Sequence, residues 1–287
     1  MSTAINGQYL QLNNQKIYYY TLGSGPTVLF IHGHRSDALR FKGILTTLAE
    51  YAYVVAPDLP GCGRTSPYQR QRHTMTAYAE TLAEFVDTLD LNEIVLLGGS
   101  MGGLVALKLF PLISSRIRKV VLLVTPADDS VWKPKLQKYQ LYIRSFPFLV
   151  KTKIVPWLAD RIIHSDRLMN YLLARNFDPN DRKPDIIKFE KQQWRQMSSS
   201  VWMQTNHSIV NTKVSDQPLM IHVPTLIVES KDNQYYDTEK NLKILKDIAP
   251  QHQVVIVPLK THVPKGELSA SFLTPYKRQL EEFVLSS

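Results

Sequence analysis

The chain has 287 residues, 44% hydrophobic and 21% charged, which describes a globular protein with room for one large core. No apolar run approaches the length of a membrane span, and Met1-Ser2-Thr3-Ala4-Ile5-Asn6 lacks the basic and apolar parts of a signal peptide, so a cytoplasmic location is expected. A single cysteine, Cys62, excludes an internal disulfide and argues against a thiolate metal site.

The formal net charge is +9, and its distribution matters more than its size. Between Val131 and Lys213 stand 15 Lys/Arg and 6 Asp/Glu, while the remainder has 19 of each. That middle segment reads first as a solvated basic face. A surface attracting anionic substrates or lipid is the other reading. No long Lys/Arg block or aromatic-interleaved basic repeat points to nucleic acid.

In chain order, Tyr9–Leu12 and Lys16–Tyr20 flank Asn13-Asn14 and predict an opening hairpin. Thr27–Ile31 is a fully apolar strand that ends at His32-Gly33-His34. Leu39–Glu50 has Phe41, Ile44, Leu45 and Leu48 at helical spacing. Tyr53–Ala56 is the next strand, and Thr74–Leu89 is an amphipathic helix with Met75, Tyr78, Leu82 and Val86 on one face. Ile94–Leu97 is again a buried strand, followed by a glycine-rich turn and an apolar helix that Pro111 ends. Lys119–Val124 follows. This alternation predicts a mostly parallel sheet covered on both faces, with ligands at the carboxyl ends of its strands.

The rhythm breaks from about Val131 to Lys213. Helical, proline-separated stretches there carry all four tryptophans, Trp132, Trp157, Trp194 and Trp202. The sheet pattern resumes at Pro224–Val228, a helix is expected over Leu242–Ile248, and Val254–Val257 is a last strand. A helix from about Pro275 to Leu285 closes the chain. The division is therefore a core in two parts, residues 1–127 and 216–287, around a helical insertion, residues 128–215.

The stretch Gly98-Gly99-Ser100-Met101-Gly102-Gly103 carries the chemistry. It is G-x-S-x-G with a strand before it and a helix after it, the setting in which a serine can stand at the apex of a sharp turn. Gly98 and Gly102 are the positions where a Cβ would crowd that turn. A serine hydroxyl needs a base, and the base needs a group to orient it. Among eight histidines, His262 follows the last strand on the face where Ser100 should emerge. Asp232 follows the preceding strand at the same end, with Glu229, Lys231 and Asn233 as neighbours that leave ambiguity. Asp128 and Asp129, after the sixth strand, are alternatives that otherwise read as helix caps.

The order Ser100, Asp232, His262 behind this turn resembles the α/β-hydrolase family, over nearly the whole chain. His32-Gly33 resembles the family's H-G oxyanion loop, and Asp58–Ser66 its D-x-x-G-x-G-x-S segment. The insertion stands where members carry a cap. The resemblance implies an α/β-hydrolase fold, a mostly parallel eight-stranded sheet with an inserted helical cap. It implies an oxyanion hole from the backbone N–H groups of Met101 and His34. It also implies hydrolysis of a carboxylic ester, thioesters included, through an acyl-enzyme on Ser100. No cofactor or metal is expected, since no H-E-x-x-H or compact ligand cluster occurs. The partner would be a small-molecule ester with an apolar part under an aromatic cap, and a homodimer is compatible with this reading.

Some features depart from the family. Position 100 is serine, whereas haloalkane dehalogenases and epoxide hydrolases use aspartate. Gly99 and Val263 replace the asparagine and tryptophan typical of C–C bond hydrolases, which leaves that reaction as an alternative. Thr261 replaces the frequent glycine before the histidine, and His34 stands where an apolar residue is common. A ligand receptor or scaffold of the same fold is the alternative from another class.

Overall fold

A computed structural model describes residues 4–177, 179, 182–214, 219–259, 262, 266, 268 and 272–286. The chain opens with β1 (Asn6–Gln11) and β2 (Lys16–Leu22), an antiparallel hairpin about the expected Asn13-Asn14 turn. β3 (Thr27–Ile31) follows. The helix expected over 39–50 divides into a 3₁₀ turn, Ala38–Phe41, capped by Asp37, and α1 (Lys42–Leu48). Then come β4 (Tyr53–Pro57), α2 (Met75–Thr88), β5 (Ile94–Gly99), α3 (Met101–Leu109) and β6 (Ile117–Leu123). Thr74 caps α2 by accepting from Ala77 N–H, and a 3₁₀ turn containing Pro111 succeeds α3.

Among the described residues, six helices replace the βα rhythm between β6 and the next strand. They are α4 (Pro134–Arg144), α5 (Phe146–Lys151), α6 (Ile154–His164), α7 (Asp166–Asn176), α8 (Pro184–Gln196) and α9 (Ser199–Asn211). This is the inserted helical cap. Its expected end at residue 215 lies outside the described residues. β7 (Thr225–Ser230), α10 (Thr238–Ile248), β8 (His252–Val257) and α11 (Lys277–Leu285) complete the core. α10 begins four residues before the expected Leu242, because Asp237 accepts from Lys240 N–H and supplies its N-cap.

The eight strands form one sheet in the order β1-β2-β4-β3-β5-β6-β7-β8. β1, β2 and β4 pair antiparallel, and the ladder from β4 through β8 is parallel. β5 is central and wholly buried, which is why its sequence is apolar without alternation. One face packs Leu29, Leu96 and Leu122 under α2 and α3. The other packs Phe30, Val95 and Val121 with α1 and α11. The crossovers leave the carboxyl ends of β3, β5, β7 and β8 at one edge, beneath the cap.

Candidate active site

Ser100 stands between β5 and α3 with φ 54° and ψ −116°, a backbone conformation that a side-chain-bearing residue adopts only under constraint. Its N–H donates to Leu123 O at 2.8 Å, and its carbonyl accepts from Gly103 N–H at 3.0 Å. A Cβ at Gly98 would lie 2.4 Å from Gly102 O, and one at Gly102 would lie 2.1 Å from Ile31 O. The close approach of backbone to backbone demands both glycines. At Gly99, by contrast, a Cβ would meet nothing within 4 Å.

Ser100 Oγ lies 2.6 Å from His262 Nε2. The two are 162 residues apart in sequence and meet because β5 and the segment after β8 end at the same edge. His262 is buried, with Tyr235 and Tyr236 against it at ring-centroid distances of 5.3 and 5.7 Å. Thr261 and Val263 lie outside the described residues.

The loop after β7 is drawn toward His262 by pairing with the residues after β8. Lys231 N–H donates to Val257 O at 2.9 Å, and Asp232 N–H to Leu259 O at 3.3 Å. Asn233 is fully buried there, and its Nδ2 lies 2.9 Å from His262 Nδ1. Asn233 Oδ1 accepts from Tyr235 N–H at 3.0 Å, which sets the amide's orientation. Asp232 is placed differently: its side chain is 67% exposed and its Oδ1 pairs with Lys133 Nζ at 2.9 Å. Asp128 caps the short turn Asp129–Val131 by accepting from Ser130 N–H at 3.0 Å, in line with the capping role.

Beneath this loop Glu229 is buried. It accepts from Tyr236 Oη at 2.9 Å, Asn241 Nδ2 at 3.0 Å and Ser230 N–H at 2.8 Å. Burial pushes its carboxyl up to about 7 against these hydrogen bonds, Asn233 also contributing one. The neighbours of Asp232 that made its assignment ambiguous thus have distinct places, with Asn233 on the imidazole and Glu229 below it.

The loop after β3 forms the opposite wall. A Cβ at Gly33 would lie 3.6 Å from Ser100 Cβ, so this loop abuts Ser100. His32 is buried, 2.8 Å from Gly33 O through Nδ1 and accepting from Leu59 N–H at Nε2, 3.0 Å. Asp58 ties two loops together, accepting from Ala38 N–H and Arg64 N–H, each at 2.9 Å. Burial raises its carboxyl to about 7. The expected Asp58–Ser66 segment is therefore a brace beneath the site. Cys62 within it is buried, with its thiol pushed well up by desolvation.

His34 Nε2 donates to Thr205 Oγ1 of α9 at 2.8 Å, since that hydroxyl itself donates to Val201 O. Burial holds its imidazole well below the ordinary range. Its side chain thus joins the loop after β3 to the cap, while Met101 is the buried first residue of α3. Arg35, also in the left-handed region at φ 49°, lays its guanidinium over Trp194 at 3.5 Å and within 5.5 Å of the Trp202 ring. Burial lowers its pKa to about 10. Sequence reasoning did not single out Arg35 or Thr205, and it named Asn233 only as a neighbour that left the assignment of Asp232 ambiguous. The adjacency of Arg35 to a predicted oxyanion donor was the available signal.

Comparisons with known proteins follow this geometry. The alpha/beta hydrolase fold family matches residues 26–265. The uncharacterized hydrolase YNR064C of Saccharomyces cerevisiae is 29% identical over 152 residues, 50% of this chain and 52% of that protein, so the match spans about half the relative's length. The match to the uncharacterized protein Rv2715 of Mycobacterium tuberculosis covers 33% of that relative. A 2-hydroxy-6-oxo-2,4-heptadienoate hydrolase of Pseudomonas putida is 24% identical, with 80% of each chain covered. An esterase from Exiguobacterium antarcticum has the same fold at a TM-score of 0.75 and 19% identity, covering 98% of this chain and 100% of that one.

Proposed function

Since the chain belongs to the alpha/beta hydrolase fold family, we propose that it is a serine hydrolase cleaving carboxylic esters, thioesters among them, through an acyl-enzyme on Ser100. The observation that carries this reading is the 2.6 Å contact between Ser100 Oγ, on a strained turn, and His262 Nε2.

In the proposed reaction Ser100 Oγ attacks the ester carbonyl carbon while His262 Nε2 takes its proton. The carbonyl oxygen becomes an oxyanion that the N–H groups of Met101 and His34 receive. The carbon–oxygen bond to the leaving group then breaks, and the departing alkoxide takes the proton from Nε2. A water, giving its proton to Nε2, attacks the acyl carbon and releases the acid and Ser100.

For each attack Nε2 must be unprotonated, so the imidazole proton must sit on Nδ1. A carboxylate there favours that tautomer, whereas an amide N–H opposes it. The reading therefore assigns Asp232, next to Asn233 on the same loop, to hold the Nδ1 proton during acylation. Its exposed pair with Lys133 is worth at most about 1 kcal/mol and is a weak competitor.

Ser100→Ala should lower ester turnover by roughly 10⁴-fold or more with an unchanged thermal midpoint. Near-wild-type turnover in that variant overturns the mechanism. Asp232→Asn should cost about 10³-fold, and Asn233→Ala roughly tenfold. The reverse ranking transfers the orienting role to Asn233. The substrate panel should include a vinylogous diketone, because the match to the Pseudomonas putida hydrolase covers 80% of both chains. A higher kcat/KM there than on any ester selects C–C cleavage.

A further inference from the structure

Arg35 is a partly buried cation whose partners do not neutralise it. Its guanidinium lies over the Trp194 ring at 3.5 Å, with the Trp202 ring to one side at 5.5 Å. Among the described residues no carboxylate pairs with it. Glu190 lies close enough to act on its charge, but Glu190 Oε1 already accepts from Arg40 Nη2 at 2.7 Å and Gly266 N–H at 2.9 Å. Partial desolvation without an anion costs free energy, and stacking on tryptophan recovers only part of that cost.

The position of this charge gives it a use. Arg35 is two residues from Gly33, on the loop that abuts the Ser100 Cβ. It is also electrostatically coupled to Tyr235, whose ring lies 5.3 Å from that of His262. Beside it Trp202 Nε1 is buried with no hydrogen-bond partner among the described residues. The guanidinium and an unmet indole donor therefore lie together where the loop that abuts Ser100 meets the cap.

We propose that Arg35, beside Trp194 and Trp202, is an anion subsite next to Ser100, and that the substrate is an ester whose acyl part ends in a carboxylate. The choice of carboxylate follows from the geometry. A guanidinium presents a planar fork that matches a planar, singly charged group through two parallel hydrogen bonds. The other cation here, Arg40, is consumed by Glu190, and the neighbouring His34 is held neutral, so the subsite balances one negative charge. The flanking indoles accept the methylene chain leading to it. This inference rests on the serine-hydrolase reading and specifies its substrate class.

The test uses two p-nitrophenyl esters of equal acyl length, the neutral valerate and the monoanionic hemiglutarate. The wild-type protein should favour the hemiglutarate in kcat/KM. In Arg35→Met that preference should fall at least thirtyfold, chiefly through KM on the anionic ester, and in Arg35→Lys roughly fivefold. Equal losses on both esters in Arg35→Met would reduce Arg35 to a clamp between loop and cap, and overturn the proposal. So would a wild-type preference for valerate.

Calorimetry supplies a readout independent of turnover. Ser100→Ala should bind the hemiglutarate ester at least tenfold more tightly than Ser100→Ala/Arg35→Met does. Equal affinity overturns the subsite. If wild type cleaves neither ester but this affinity difference holds, the subsite stands and the hydrolase reading falls. Should Arg35→Met not fold, Arg35→Lys carries both measurements, and an unchanged ester preference in it overturns the proposal.

Discussion

The sheet core and the cap hold their parts of the site by different means. In the core, Ser100 is fixed by backbone: Leu123 O on one side, the approach of Gly98 to Gly102, and that of Gly102 to Ile31. The cap meets the loop after β3 through side chains instead, with Arg40 on Glu190, His34 on Thr205 and Arg35 on Trp194. The cap also buries its apolar residues less completely, leaving Phe148 73% and Trp157 55% exposed. The proposed reaction would therefore reside in a rigid turn, and its selectivity in a few replaceable contacts.

Substitutions can break that contrast in descending order of effect. Gly102→Ala drives a Cβ to 2.1 Å from a backbone oxygen that cannot yield cheaply. It should cost about 4 kcal/mol or more in denaturant unfolding and abolish activity along with the fold. A soluble, active protein would show that the turn is less constrained than its geometry implies.

Arg40→Met leaves Glu190 buried without its cation and should cost about 3 kcal/mol. The double variant Arg40→Met/Glu190→Leu should regain most of that loss, because the pair's value lies in mutual neutralisation. A double variant no more stable than Arg40→Met alone would show that Glu190 is held mainly by other contacts.

Glu229 makes the core's network sensitive to pH. Its folded pKa, about 7, is above the ordinary 4.5, so the folded state binds more protons than the unfolded state between those values. Stability from this group is therefore full at low pH and is lost as pH rises from about 4.5 to 7. The loss approaches about 3 kcal/mol. Asp58, raised to about 7, acts in the same direction, whereas His73, lowered to about 4, gains stability as pH rises from about 4 to 6.5. Glu229→Gln should remove only its own share of the slope. Parallel stability–pH curves for wild type and variant would refute this.

The smallest effect sharpens the comparison at its seam. Lys133 stands at the entrance to the cap and pairs with Asp232 in the core. Lys133→Met should raise kcat/KM two- to fivefold, about the value of an exposed ion pair. A fall would mean that this pair positions Asp232 productively.

The core was legible because its constraints are local. Thr27–Ile31 forms a strand with those same limits, and the glycines around Ser100 by themselves imply the turn. Ser100 and His262 follow from the rule that such sheets gather their chemistry at strand ends. The choice between Asp232 and Asn233 was not legible, since adjacent residues on a loop differ in direction by backbone torsions that composition does not encode. Arg35 was hidden for another reason. Its partners, Trp194 and Trp202, are more than 150 residues away, and helix periodicity reports only that they have an apolar side.

Gly99 has a consequence for how such a protein diversifies. Gly98 and Gly102 in the turn admit no side chain, yet a Cβ at Gly99 would point into open space immediately before Ser100. The position is an evolutionary free variable set beside a fixed one. A residue installed there could reach toward whatever Ser100 handles while the turn remains as it is. It is also where a chemist would attach a reporter group, one peptide bond from the reacting oxygen.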